Sequence, residues 1–364
     1  MLKMMRSRGV LTISLLVSLV FVVMYMYHKP SSGRFHSGPT KAHTALTTSF
    51  DIMEMATKNR FKGVKPAHSL TSRVALVRDY TNPYLMAYPG EVWDNGLMAW
   101  QIVRSIGDGV AETMQMKIVD SVTQNCDNYR KLVVDVGSHL GQYSMLSGSN
   151  KCRVNIIEPV YENLEWQRLS RILSNFPLQH YKDFVGACSD KKKLIFQGWM
   201  GCAGEECEKR NLVDHGDIQY ATNTFAIDDV AKEDVLLLKV DVEGHEQHAF
   251  NSAKGLFRNY RVNYILHEYT YFMNGVYIQG SKEYVQKLYD LGYTQYLIDN
   301  ENMKLIEVKK EHFVSWHEAT DRVKCHESHK KVTPWCQENF FLVHKDSVMP
   351  KALEMHIQPP WKPE

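Results

Sequence analysis

Five short runs of aliphatic and β-branched residues, at 132–136, 154–157, 184–188, 235–240 and 262–266, constrain this chain more than any other feature. Each is too short for a buried helix and too continuously apolar for a strand with one wet face, so each is expected as a strand buried on both sides. Longer amphipathic stretches separate them, and strands joined by helices of crossover length run parallel. The expected fold class is α/β, a doubly wound, mostly parallel sheet. Beyond the fifth run, 293–298 and 304–308 flank Asp299-Asn300-Glu301-Asn302 as a hairpin or tight turn. Residues 339–343 are a further strand, expected as an antiparallel addition, and 309–338 read as an insertion.

The amino-terminal residues are of another kind. Lys3, Arg6 and Arg8 precede an uncharged run at 10–27, and polarity returns at His28-Lys29-Pro30. That length is just enough for a thin bilayer. The run ends in Met24-Tyr25-Met26-Tyr27 rather than in small residues, so an uncleaved transmembrane signal anchor is expected instead of a removed signal peptide. Basic residues ahead of the span hold 1–9 in the cytoplasm and send the rest into the secretory lumen, a single-pass type II arrangement. Residues 28–50, rich in Ser, Thr, Gly, Pro and His, read as a flexible stem. Across 51–127 apolar residues recur at helical spacing, notably Leu97, Trp100, Ile102, Val103 and Ile106, which predicts a helical cap.

A lumenal domain can form disulfides, and the chain has seven cysteines, an odd number that leaves at least one outside intrachain pairs. Cys202 with Cys207 and Cys325 with Cys336 are the local pairs that spacing offers, with buried thiols as the alternative. Cys202 and Cys207 near His215 are too loosely spaced for zinc, and no metal is expected. A formal charge of +2 without a dominant basic tract argues against a nucleic-acid partner.

Chemistry concentrates at three places. The strand ending at Asp135 runs into Gly137-Ser138-His139-Leu140-Gly141, where glycines let the backbone turn sharply and approach a ligand. The spacing is not the Gly-x-Gly-x-x-Gly of a dinucleotide pyrophosphate loop. A ligand with a sulfonium and an ammonium suits the acid at Asp135 better. Second, the next strand ends at Glu158-Pro159, where a carboxylate can accept both hydroxyls of an adenosine ribose. Third, Leu236-Leu237-Leu238 leads into Lys239-Val240-Asp241-Val242-Glu243-Gly244-His245-Glu246, a burst of ionisable groups at the strand end where open α/β sheets bind ligands. A solvated turn opening a helix would explain Glu243 and Glu246, but not Lys239 and Asp241.

Together these residues resemble the FkbM family of methyltransferases. Asp135-Val-Gly137 through Gly141, Glu158-Pro159 with Asn163, Ala187-Cys188-Ser189-Asp190, Ile227-Asp228-Asp229, the block 238–246, His267-Glu268 and Gly292-Tyr293 carry the likeness. It covers roughly 132–344 of a methyltransferase domain placed at 128–345, with 346–364 as a tail. The resemblance implies a Rossmann-like sheet, S-adenosylmethionine as cofactor and O-methyl transfer. It carries cofactor binding onto Asp135, Gly137, His139, Gly141 and Glu158. It carries catalysis onto Asp241, Glu243 and His245, with Asp241 favoured for the site and His245 as a weaker candidate base beside His267 and Glu268. The family usually has Asn where this chain has His139. A second departure is the charged stretch 199–220, which shapes substrate choice or forms a plain surface loop. In a secretory lumen, Golgi-type, a glycan or glycoconjugate is the natural hydroxyl-bearing acceptor. A lipid or small metabolite acceptor, or a catalytically silent fold that binds partners, are the alternatives.

Overall fold

The computed structural model describes residues 72–77, 80–89, 113–124, 126–189, 193–197, 200–202, 219–273, 276–321 and 335–363. The anchor at 10–27, the stem at 28–50, the run from Leu97 to Ile106, Cys207, Cys325 and most of 199–220 lie outside them. Among the described residues no helix is long and apolar enough to cross a membrane.

In chain order the elements are a hairpin of β1 (Ser72–Val77) and β2 (Tyr84–Pro89), then α1 (Thr113–Thr123), β3 (Leu132–Val136), α2 (Gln142–Ser149), β4 (Arg153–Glu158), α3 (Tyr161–Leu173) and β5 (Tyr181–Val185). A small sheet comes after them, made of β6 (Ala187–Cys188), β7 (Lys193–Gln197), β8 (Met200–Cys202) and β9 (Gln219–Phe225). Next come β10 (Val235–Val240), α4 (Glu246–Asn251), α5 (Lys254–Asn259), β11 (Val262–Met273), β12 (Val276–Tyr277) and α6 (Ser281–Asp290). The chain closes with β13 (Tyr293–Asp299), β14 (Lys304–Val308), α7 (Phe313–Asp321), β15 (Trp335–His344) and β16 (Ile357–Gln358).

The main sheet has the order β16-β14-β13-β15-β11-β10-β3-β4-β5. From β5 through β4, β3 and β10 to β11 every pairing is parallel, while β15 is antiparallel to both β11 and β13. This is the expected α/β sheet, mostly parallel, with antiparallel strands at its carboxyl-terminal side. The turn after residue 299 does join an antiparallel hairpin, β13 with β14.

Strand alternation sorts the two faces. Val134, Val136, Leu238, Val240 and Ile265 enter one buried cluster, and Val133, Leu237 and Leu266 enter the other. Fully burying an aliphatic side chain of this size contributes about 1.5–3 kcal/mol, which is why apolar runs on both parities settle in the middle of the sheet. Helices α1 and α2 cover the second face.

Three sequence expectations change in detail. The run at 184–188 is not one strand: Tyr181–Val185 extends the main sheet, and Ala187–Cys188 leaves it to pair with β9. Gly186 makes the break, because a Cβ there would lie 2.5 Å from the carbonyl oxygen of Asn223. The strand expected at 262–266 continues to Met273, since β15 supplies backbone partners along that whole length. Within 51–127 the described residues form the β1–β2 hairpin as well as α1, and the hairpin rests on α3 through Ser170 and Ser174, whose hydroxyls accept from Ala87 and Leu85 N–H.

Cys126 and Cys152 are joined in a disulfide, a pair 26 residues apart that local spacing did not suggest. Cys336 is also disulfide-bonded, and Cys188 is a buried thiol.

Candidate active site

The chain runs from β3 outward through β4 to β5, then returns to lay β10 and β11 on the other side of β3. The boundary between β3 and β10 is therefore the switch point where two loops diverge at the carboxyl ends and leave a crevice. Of the eight residues singled out in the sequence, Asp135 stands near the end of β3, Glu158 at the end of β4, and the other six on these loops.

The loop after β3 is built by close backbone approach. Gly137 has φ +74°, and a Cβ there would lie 1.8 Å from the carbonyl oxygen of Asp241, so the two loops touch at a point that admits no side chain. His139 also has a left-handed backbone, φ +51°. Asn and His are among the non-glycine residues found most often in that conformation. The exchange of the family's Asn for His139 therefore preserves what the backbone demands. Gly141 caps α2 with φ +82°. Gln167 on α3 clamps the loop, its amide donating to Ser138 Oγ and to the His139 carbonyl, both at 2.7 Å. The His139 ring is held down to about 4, first by burial and then by the Lys239 charge, with Asp241 opposing, so it is neutral at pH 7.

Glu158 is 4% exposed at the end of β4. Its Oε2 accepts from His139 N–H at 2.8 Å, and its Oε1 from Val160 N–H at 3.0 Å and Asn163 Nδ2 at 3.1 Å. Burial pushes this carboxyl up to about 7, against the pull of those donors and of Lys239. A carboxylate has about four acceptor positions, so Oε2 keeps one for a further donor such as a ribose hydroxyl.

Asp135 lies deeper than a ligand-facing role requires. It is fully buried, accepts from Ser144 Oγ at 2.6 Å, and stands 3.5 Å from Lys239 Nζ. Its carboxylate underpins the loop from below. Lys239, inside β10 and 3% exposed, donates to the Gly137 carbonyl at 2.7 Å and stands 3.5 Å from Asp241 Oδ2. Lys239 is not among the cofactor-binding residues expected from sequence. The available signal was a lysine inside an otherwise apolar strand; for Gln167 it was an amide on the buried side of an amphipathic helix.

After β10 the chain turns through Glu243 and Gly244, both left-handed, φ +53° and +90°. Glu246 closes this turn, its Oε1 accepting from Val242 and Gly244 N–H at 3.1 Å. It thus holds backbone rather than substrate. Asp241 keeps 27% of its side chain exposed, whereas His245 is 4% exposed, with its ring 5.3 Å from that of His248. Carboxylate oxygens of Asp241, Glu243 and Glu268 lie within 4.8 Å of one another, a spacing a divalent cation can bridge. Burial, and then the charges of Asp241, Glu243 and Glu246, push Glu268 well above the usual carboxylate range.

His267 and Glu268, adjacent on β11, point to opposite faces of the sheet. Glu268 joins the acids. The His267 ring packs among Phe250, Tyr284 and Phe340, and burial lowers it to about 4, so it belongs to the aromatic core and not to the crevice.

Residues 135–294 match the methyltransferase FkbM domain, a span that holds all eight residues. No significant match is found among curated protein sequences. Among solved structures, a putative S-adenosylmethionine-dependent methyltransferase from Listeria monocytogenes is 8% identical, with TM-score 0.34 over 66% of this chain and 99% of that one. A putative O-methyltransferase from Klebsiella pneumoniae is 10% identical, with TM-score 0.33 over 64% and 80%. Precorrin-6y C5,15-methyltransferase from Geobacter metallireducens is 9% identical, with TM-score 0.30 over 62% and 85%. At these scores the likenesses define no acceptor for this chain. The chain carries an FkbM methyltransferase domain and is an S-adenosylmethionine-dependent methyltransferase. The crevice fits that cofactor: Gly137 leaves the loop backbone bare, Glu158 retains an acceptor position, and Asp241 presents negative charge toward a sulfonium.

Proposed function

We propose that this enzyme O-methylates a hydroxyl of a glycan or glycoconjugate in the secretory pathway, Golgi-type, with its catalytic domain lumenal and tethered by the span at 10–27. S-adenosylmethionine supplies an electrophilic methyl group on sulfur. The chain must align the acceptor hydroxyl in line with that methyl and take up the hydroxyl proton. Asp241 carries the reading. Its backbone abuts Gly137 while its carboxylate stays partly exposed, so it is both beside the cofactor loop and within reach of an acceptor. In this role Asp241 takes the proton as the oxygen attacks, and Glu243 adds negative charge at the same strand end. His245, buried at the head of α4, supports the turn.

The disulfides support the lumenal placement, because such bonds persist in oxidising compartments and are rare in the cytosol. Glycans are the hydroxyl-rich molecules of that compartment.

Titration calorimetry on the detergent-solubilised full chain tests the cofactor site, native protein against Gly137→Val; no binding by the native protein would sink it. A screen of glycans, lipids and small alcohols with labelled cofactor tests the acceptor. Label entering glycans supports the proposal, and label entering only lipids or small metabolites replaces it. In microsomes the catalytic domain is expected to resist protease until detergent is added.

A further inference from the structure

We infer that Lys239 is a positioning residue for the cofactor: its ammonium ties the glycine loop after β3 to the acid turn after β10 and holds the two walls of the crevice at a fixed separation. The inference rests on the placement of S-adenosylmethionine against the loop 137–141.

Parallel register sets Lys239 beside Asp135 and Val240 beside Val136, and the ladder between β10 and β3 ends there. Past that point both strands give way to loops. The Lys239 side chain lies on the same face as Asp135, and its Nζ sits 5.3 Å over the Tyr143 ring. Its ammonium has three N–H donors. Around it stand three acceptors on three segments: the Gly137 carbonyl at 2.7 Å, Asp135 Oδ1 at 3.5 Å and Asp241 Oδ2 at 3.5 Å. Two of the three, Gly137 and Asp241, lie beyond the ladder.

Burying an ammonium is a costly way to join strands that their own backbones already join. An apolar residue would fill that volume and leave the ladder intact. What it could not do is hold the Gly137 carbonyl and the Asp241 carboxylate to one point. Backbone bonds bring the two segments together, Asp241 N–H to the Val136 carbonyl at 3.1 Å and Gly137 N–H to the Ile157 carbonyl at 2.9 Å, and the Lys239 ammonium adds the tie between the Gly137 carbonyl and the Asp241 side chain that these bonds do not make.

A second role for Lys239, neutralising the buried Asp135, must be separated from positioning. Asp135→Asn removes that charge while its side-chain oxygen can still accept from Ser144. The test is Lys239→Met made in the Asp135→Asn background, in the detergent-solubilised full chain, with S-adenosylmethionine affinity read by calorimetry and melting temperature read alongside. Positioning predicts that Lys239→Met still weakens the cofactor by about tenfold or more in that background, with melting temperatures within a few degrees. Backbone amide exchange should then rise together at 137–141 and 241–244, with α6 unchanged. A loss of less than about threefold would overturn the inference, because Lys239 would then only balance Asp135. If Lys239→Met alone does not fold, the paired background still gives the answer, since it leaves no buried charge uncompensated. Absence of binding by the native chain is a different failure, one of cofactor placement, and is scored before any variant.

Discussion

The two loops that meet at the switch point are built on opposite principles. After β3, the loop is tied down by hydrogen bonds to its surroundings: Glu158 holds His139 N–H, Gln167 holds Ser138 and the His139 carbonyl, and Ser144 holds Asp135. After β10, Asp241, Glu243, Glu246 and Glu268 crowd one another, and Glu246 and Glu268 are pushed above the usual carboxylate range, first by burial. The first loop is finished before any ligand arrives. The second stores unfavourable like charge, which a cation or a proton from an acceptor relieves. One wall is built to hold, the other to respond.

The largest blow to the holding wall is Gly137→Val. Its added Cβ would overlap the Asp241 carbonyl, at 1.8 Å, and the positive φ disfavours a β-branched residue as well. We expect S-adenosylmethionine affinity to fall by about a hundredfold or more, measured by calorimetry. On the responding wall, Asp241→Asn keeps the shape and removes the base. Turnover should drop by about two to three orders of magnitude, while cofactor affinity, which loses only the Asp241 end of the Lys239 tie, falls by a clearly smaller factor, about tenfold at most. Equal losses in both would show that the two walls do not divide the work.

Glu158 sharpens the contrast through pH. Its carboxyl titrates at about 7 in the fold against 4.5 unperturbed. The ionised form is the stronger acceptor for ribose hydroxyls, so cofactor affinity should rise as pH passes through about 7 and level off about one unit above it. The sign for stability is the reverse. A raised folded value means that ionising Glu158 costs stability as pH rises from 4.5 through about 7, a cost constant above that. Glu158→Gln should therefore bind about tenfold more weakly at pH 8, lose this pH dependence, and gain melting temperature relative to native at pH 8 compared with pH 5. Calorimetry and thermal scans across that range measure both.

The smallest effect at either wall should come from Cys126 and Cys152, which lie toward the amino ends of β3 and β4, away from the crevice. Opening this 26-residue loop by Cys152→Ala should cost about 3 kcal/mol of stability and several degrees of melting temperature. Cofactor affinity at 10 °C should be unchanged within error.

The strands of the central sheet were legible because burial on both faces writes itself as continuous apolar runs. The glycine loop and Glu158 were legible because their order along the chain is the order of the switch point. What stayed hidden was whatever register decides. No local pattern places Lys239 beside Asp135, 104 positions away in sequence, or shows that Asp135 faces inward. Alternation could have separated His267 from Glu268, but only once β11 was fixed as a strand through both. The break at Gly186 depends on Asn223 arriving from β9, and the disulfide depends on β3 and β4 lying side by side.

The placement of β15 has a consequence for how the chain comes to be assembled. It lies between β11 and β13, antiparallel to each, with register running from Tyr264 against Val343 to Met273 against Trp335. Both neighbours leave the ribosome first. Until residues near 335–344 emerge, β11 and β13 keep open edges whose backbone N–H and C=O groups can pair with other chains. A product ending short of β15 would carry the whole cofactor loop and the acid turn, yet the strand bearing Glu268 would be paired on its β10 side only. Completion of the responding wall is thus a late event in the life of the nascent chain, and premature termination there exposes an adhesive edge.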